Sequence, residues 1–197
     1  MLPLLACSVL AAAIILERLW SLQEKRVLPQ NLSAKVWDWV ARNELNDEHI
    51  ETLRDSSALG EVLAAALANR QRDLDTIKER VQDTGRHVVH ELERFINTLG
   101  TIAAISPLLG LLGTVVGMIK VFAAITTHGV GDPTVLAGGI SEALITTAAG
   151  LTVAIPALIG YRYLRSRIDS LVVQMEKEAI KLVDRIRDEH EAGRYEA

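Results

Sequence analysis

The sequence predicts an all-α membrane protein with three transmembrane helices and long helical cytoplasmic extensions, and three observations point to it. Of its 197 residues, 49% are apolar and the mean hydropathy is +0.21, an unusual balance for a soluble domain of this size. Aromatics make up only 4%, so the apolar share comes from Leu, Ala, Val and Ile rather than from the large rings that fill globular cores. The apolar residues are also gathered into three long runs of almost no charge, which suggests lipid as their solvent. A net charge of −4 with acids interspersed among the bases argues against nucleic-acid binding, which needs clustered Lys and Arg. The single cysteine, Cys7, excludes an intramolecular disulfide and any CxxC site, and its neighbours Leu5 and Val9 suggest buried packing.

A helix needs roughly 20 mostly apolar residues to cross about 30 Å of hydrocarbon. Residues 1–20 hold the first candidate, an apolar run from Leu2 to Leu16 closed by Glu17, Arg18 and Trp20. It is short, but a signal peptide would carry a basic residue ahead of the apolar run and small residues at a cleavage site, and neither is present. Residues 21–97 form a charged segment with apolar residues at helical spacing over 34–54 and 58–97. Val62, Ala66, Asn69, Asp73, Ile77 and Val81, then Val88, Leu92, Phe95 and Leu99, trace the stripe of the second stretch. With no proline between Pro29 and Pro107, this stretch is expected to run unbroken into the second span.

That span covers 98–127, with no charge from Leu99 to Ile119 and then Lys120. A connection at 128–134, built on His128-Gly129-Val130-Gly131-Asp132-Pro133, reads as a tight hairpin. The third span, 135–161, carries Glu142 as its one charge, and Arg162, Arg165 and Arg167 follow it. Residues 162–197 continue as a helix whose narrow stripe is Ile168, Leu171, Val172, Met175, Ala179, Leu182, Val183 and Ile186. The two cytoplasmic stripes are expected to pack together. None of the 21 Lys and Arg falls between 121 and 161. The positive-inside rule therefore turns the 128–134 loop and the N-terminus outward, and the middle segment and tail inward, with Trp20, Tyr161 and Tyr163 as interfacial aromatics.

Motifs for chemistry are sparse. There is no GxxxxGK[ST], GxGxxG, HExxH or GxSxG, so no enzyme and no cofactor is predicted. His87 and His90 with Glu91 share a helix face, but without further Cys or His they read as surface residues and not as a metal site. The informative residues lie in the spans. Gly110, Gly113 and Gly117, and Gly150 in the third span, let helix backbones approach closely in lipid, while Pro107 frees a backbone carbonyl. Thr114 alone is weak evidence, because a hydroxyl can bond its own helix. Glu142 lies about 10 Å below the outer helix end, where an ionisable group is costly unless hydrated or paired. It either faces water or pairs with Lys120, which sits at a similar depth.

The string SPLLGLLGTVVGM, from Ser106 to Met118, and the string GISEALITTAAGLTVAIPA, from Gly139 to Ala157, together resemble the MotA/TolQ/ExbB proton-channel family and are most similar to its ExbB branch. Three spans with the large segment between the first and second match ExbB and TolQ rather than MotA, which has four. Leu108 and Leu112 stand where TolQ-like chains tend to carry Tyr and Phe. The resemblance implies an inner-membrane, ion-driven motor, with a homo-oligomeric ring, pentameric in the family, surrounding the helices of an ExbD dimer. Proton flow would then drive TonB and the outer-membrane uptake of iron-siderophores and cobalamin.

On that resemblance Thr114, Glu142 and Thr147 fall on the polar pore-lining positions, and the protonatable aspartate belongs to the partner. Hydroxyls there can hold water near a titrating carboxylate without being charged, while Leu111, Val115, Ala143 and Leu151 would keep bulk water out. Lys120 stands where better-known members have a neutral polar residue, and the chain begins almost at its first span, which implies a short outer arm. A TolQ-like envelope-integrity role and a purely structural oligomer are the alternatives.

Overall fold

The computed structural model describes residues 2–41, 45–128 and 133–195. All regular structure among them is helical, in eight elements: α1 (Leu2–Ser21), α2 (Glu24–Val27), α3 (Leu32–Ala41), α4 (Asp47–Ser56), α5 (Ala58–Ala68), α6 (Leu74–Leu92), α7 (Ile96–His128) and α8 (Pro133–Tyr195). The chain divides into two compact units, Met1–Arg18 with Phe95–Leu164, and Leu19–Arg94 with Arg165–Ala197.

The first unit holds α1, α7 and the first half of α8. Among the described residues these are the three helices long and apolar enough to cross a membrane. Their outer surface is apolar, with Val9, Leu108, Phe122 and Leu144 largely exposed, as expected of helices whose remaining cover is lipid or other subunits. The interior is narrow and built on small residues. Ser106, Ala143, Ala154 and Ala157 are buried, and helix backbones meet at glycines. Pro107 and Pro156 sit inside α7 and α8 without ending them. Arg18 is buried at the end of α1, where its Nε lies 2.6 Å from Glu17 and its guanidinium lies 5.7 Å from the centre of the Phe95 ring. The sequence placed Cys7 in buried packing. It is only half-buried, because its neighbours Leu5 and Val9 face outward.

The second unit is a helical bundle with an apolar core. Val36, Leu53, Leu63, Leu67 and Ile77 form its core together with Ile168, Leu171 and Leu182 of α8. The stripe read along 168–186 is the buried face of that helix, with only Val172 partly exposed. Three caps start the helices. Asn46 accepts the His49 N–H at 2.7 Å, Ser57 the Gly60 N–H at 3.1 Å and Asp73 the Thr76 N–H at 2.9 Å, each satisfying a donor that the first turn leaves unpaired.

The 58–97 stretch is not one helix. It breaks after Ala68 and again after Leu92. At the first break the Asn69 amide donates to Ala65 O at 2.9 Å and Arg70 to Leu67 O at 3.0 Å, closing α5 while Asp73 opens α6. Asn69 and Asp73 are therefore terminators rather than members of a continuous stripe. At the second break Phe95 adopts a left-handed backbone, φ 64°, and α7 starts afresh from it. The connection expected at 128–134 falls largely on 129–132, outside the described residues. His128 belongs to α7, and Pro133 and Thr134 to α8.

Candidate functional site

The two helices that carry the polar span residues, α7 and α8, form an antiparallel hairpin held by small residues. A methyl group on Gly100 would meet the Tyr161 ring at 3.0 Å, one on Gly110 the Thr147 Cα at 3.1 Å, and one on Gly117 the Ala143 Cβ at 2.9 Å, while Gly139 faces Val121. Gly113 faces the Thr146 side chain, and Gly150 meets the Ser106 carbonyl oxygen. The four glycines singled out in the sequence, Gly110, Gly113, Gly117 and Gly150, thus all lie at the α7–α8 contact. Ala143, expected along a passage, is buried against Gly117 instead.

That contact fixes where the other side chains point. At about 100° per residue, Gly110, Gly113, Gly117 and Val121 occupy one sector of α7, with Thr114 to one side of it and Lys120 to the other, roughly 120° apart. On α8, Thr147 and Glu142 likewise flank the packed sector, about 140° apart. Because the helices are antiparallel, the sides match. Thr114 and Thr147 share one flank of the hairpin at the same level, and Lys120 and Glu142 share the opposite one.

Both threonine hydroxyls are engaged by backbone carbonyls. The Thr147 hydroxyl donates to Gly110 O at 3.3 Å, and the Thr114 hydroxyl to Leu111 O at 2.6 Å. The first is long for an O–H donor and correspondingly weak. Both threonines are half-buried, and once its proton is engaged each hydroxyl still offers lone pairs to a water or to a protonated carboxyl. Leu111, Val115 and Leu151 are exposed apolar neighbours. On the other flank Lys120 Nζ lies 3.6 Å from Glu142 Oε1, with both side chains exposed within the single chain.

Sequence reasoning missed Thr146. Its hydroxyl donates to Ala143 O at 2.7 Å, and its side chain occupies the space left by Gly113. The signal was present, since Ala143, Thr146 and Gly150 repeat at the spacing of small residues along one helix face. His87 and Glu91, 3.9 Å apart, lie exposed on α6. No group of three potential metal ligands occurs among the described residues.

Residues 54–177 match the MotA/TolQ/ExbB proton channel family. The biopolymer transport protein ExbB-like 1 of Synechocystis sp. is 40% identical over 174 residues, covering 84% of this chain and 66% of that protein. The biopolymer transport protein exbB1 of Vibrio cholerae is 33% identical over 186 residues, 88% of this chain and 78% of that protein. The Tol-Pal system protein TolQ of Pseudomonas aeruginosa is 28% identical over 183 residues, 87% of this chain and 79% of that protein.

Proposed function

From the premise that this chain belongs to the MotA/TolQ/ExbB proton channel family, we propose that it is the ring-forming subunit of an inner-membrane proton motor of the ExbB kind. Several copies surround the helices of an ExbD-like single-span partner and energise a TonB-like protein, which drives outer-membrane uptake of iron-siderophores and cobalamin. Residues 1–20, 98–127 and 135–161 cross the bilayer. The N-terminus and the 128–134 loop are periplasmic, and residues 21–97 and 162–197 are cytoplasmic.

The observation that carries the reading is the shared flank of Thr114 and Thr147, two neutral hydroxyls at one level on the hairpin. Neutral acceptors of this kind can order water beside a titrating carboxylate on the partner helix without trapping its proton as an ion pair would. Each charge crossing 100 mV makes about 2.3 kcal/mol available, enough to bias the contacts between a ring and the helix inside it.

The test is Thr114→Ala and Thr147→Ala in the complex with the co-expressed partner. The mass of the detergent-extracted complex should be unchanged, while iron-siderophore uptake falls by roughly tenfold, as expected for losing a hydrogen-bonding group from a proton path. Normal uptake in both variants would leave a purely structural oligomer. The likeness to TolQ favours one second reading, a Tol-Pal-type subunit serving envelope integrity. A deletion strain that becomes detergent-sensitive while keeping siderophore uptake would select it.

A further inference from the structure

The stretch that follows the first apolar run carries its charges unevenly. From Leu19 to Trp37, Glu24 is the only acid, against Lys25, Arg26 and Lys35. Here α2 is a single turn whose neighbours Leu22, Val27 and Leu28 are buried, so its polar residues are turned outward. Glu24 is already engaged, since its Oε2 lies 3.2 Å from Arg167 Nη2 of α8, and that pair cancels the one negative charge of α2. Lys25 and Arg26 remain, both exposed, with no carboxylate paired to either among the described residues.

Arg26 is held in place. Its Cζ sits 3.5 Å from the centre of the Trp20 ring, over an indole that is itself 58% exposed. A guanidinium resting on a ring face keeps its N–H edge for a second ligand and has little freedom left to lose on binding one. Trp20 lies in the last turn of α1, just past the apolar run that ends at Leu16, the depth at which indoles meet lipid headgroups.

We infer that Trp20, Lys25 and Arg26 form a headgroup site for an anionic phospholipid at the end of the first span, an assignment that rests on the reading in which residues 1–20 cross the bilayer. The lipid phosphodiester accepts hydrogen bonds from the Arg26 edge and the Lys25 ammonium, while the Trp20 ring lies along the glycerol and the first methylenes. A free phosphate offers the same oxygens but gives the exposed ring nothing to cover it, so the indole selects the lipid.

The experiment uses the full chain with its co-expressed partner, in vesicles of phosphatidylcholine mixed with phosphatidylglycerol, one lipid or the other brominated on its chains. Bromine quenches an indole that it touches, and the difference between the unmodified chain and Trp20→Phe isolates Trp20 from Trp37 and Trp39. The ratio of quenching by the two lipids should show phosphatidylglycerol enriched about fivefold over its bulk share beside Trp20. Lys25→Gln combined with Arg26→Gln should bring that enrichment to about one at unchanged complex mass. Arg26→Lys, which keeps the charge and loses the stacked fork, should lower it about twofold.

Full enrichment in Arg26→Lys would overturn the site in favour of diffuse attraction to a charged surface, and full enrichment in the double variant would overturn it outright. Displacement of brominated phosphatidylglycerol by millimolar inorganic phosphate would assign the groups to a soluble anion instead of a lipid. Should the double variant fail to insert, Arg26→Lys and the phosphate titration still decide. Quenching of Trp20 by phosphatidylcholine without any preference for phosphatidylglycerol removes the site and leaves the first span standing, whereas no quenching by either lipid removes both.

Discussion

At Gly150 an added methyl group would meet the Ser106 carbonyl oxygen at 2.7 Å and the Gly110 Cα at 3.0 Å. Both are backbone atoms that cannot swing aside, so Gly150→Ala should separate the hairpin helices and cost about 1–3 kcal/mol, read as a lower melting temperature in detergent. Gly85 is the opposite case. Nothing lies within 4 Å of its missing Cβ and it sits inside α6, so Gly85→Ala should stabilise by about 0.5–1 kcal/mol in the same assay.

Charged side chains of the second unit give a pH signature. The backbone N–H and hydroxyl of Thr76 hold the Asp73 carboxyl below its usual range, and the Lys181 ammonium, 2.6 Å away, does the same for Glu178, helped by Ser33. Carboxyls depressed on folding lend stability that is fully present above their unfolded pKa and lost as pH falls through the folded one. Circular dichroism melts should therefore show the bundle weakening below about pH 4, and Asp73→Asn should flatten part of that slope. At this scale the packing glycines were legible in the sequence, while Thr114 and Thr147 were singled out only by the family resemblance. The division into flanks was not legible, because it depends on which sector of each helix is packed.

Among the elements, the α6–α7 junction turns on one residue. Phe95 holds φ 64° with its ring beside the Arg18 guanidinium. A left-handed backbone costs a residue with a Cβ roughly 1–2 kcal/mol and a β-branched one more. Phe95→Ile should thus lower the melting temperature further than Phe95→Gly, which removes the backbone cost while losing the ring. No sequence signal announced this break, since the residue usually found there is Gly or Asn. The earlier break was readable. Asp73 followed by Thr76 has the spacing of a helix cap, but Asp73 also falls four residues before Ile77 and was absorbed into the apolar stripe. The tail of α8 was the clearest element, because an uninterrupted apolar stripe from Ile168 to Ile186 continues the third span as one helix.

For the molecule as a whole, the two units place different demands on their surroundings. The bundle draws Ile168, Leu171, Leu182 and Ile186 from the far end of the chain into its core. Each large core side chain is worth about 2–5 kcal/mol, so a chain ending at Leu164 loses as much as the total stability of an ordinary domain. Limited proteolysis of that truncation should cut readily within 19–94 while α1, α7 and the remaining part of α8 stay protected in the membrane fraction. The three apolar helices were plain from composition, since charge is excluded from lipid wherever it is not paired.

Cys7 offers a way to count copies. Exchanging this one thiol, half-buried in an apolar helix, for a cysteine at the exposed Gln71 puts one maleimide dye on each subunit. Bleaching a single immobilised particle would then yield a staircase whose number of steps is the stoichiometry, five for a pentamer.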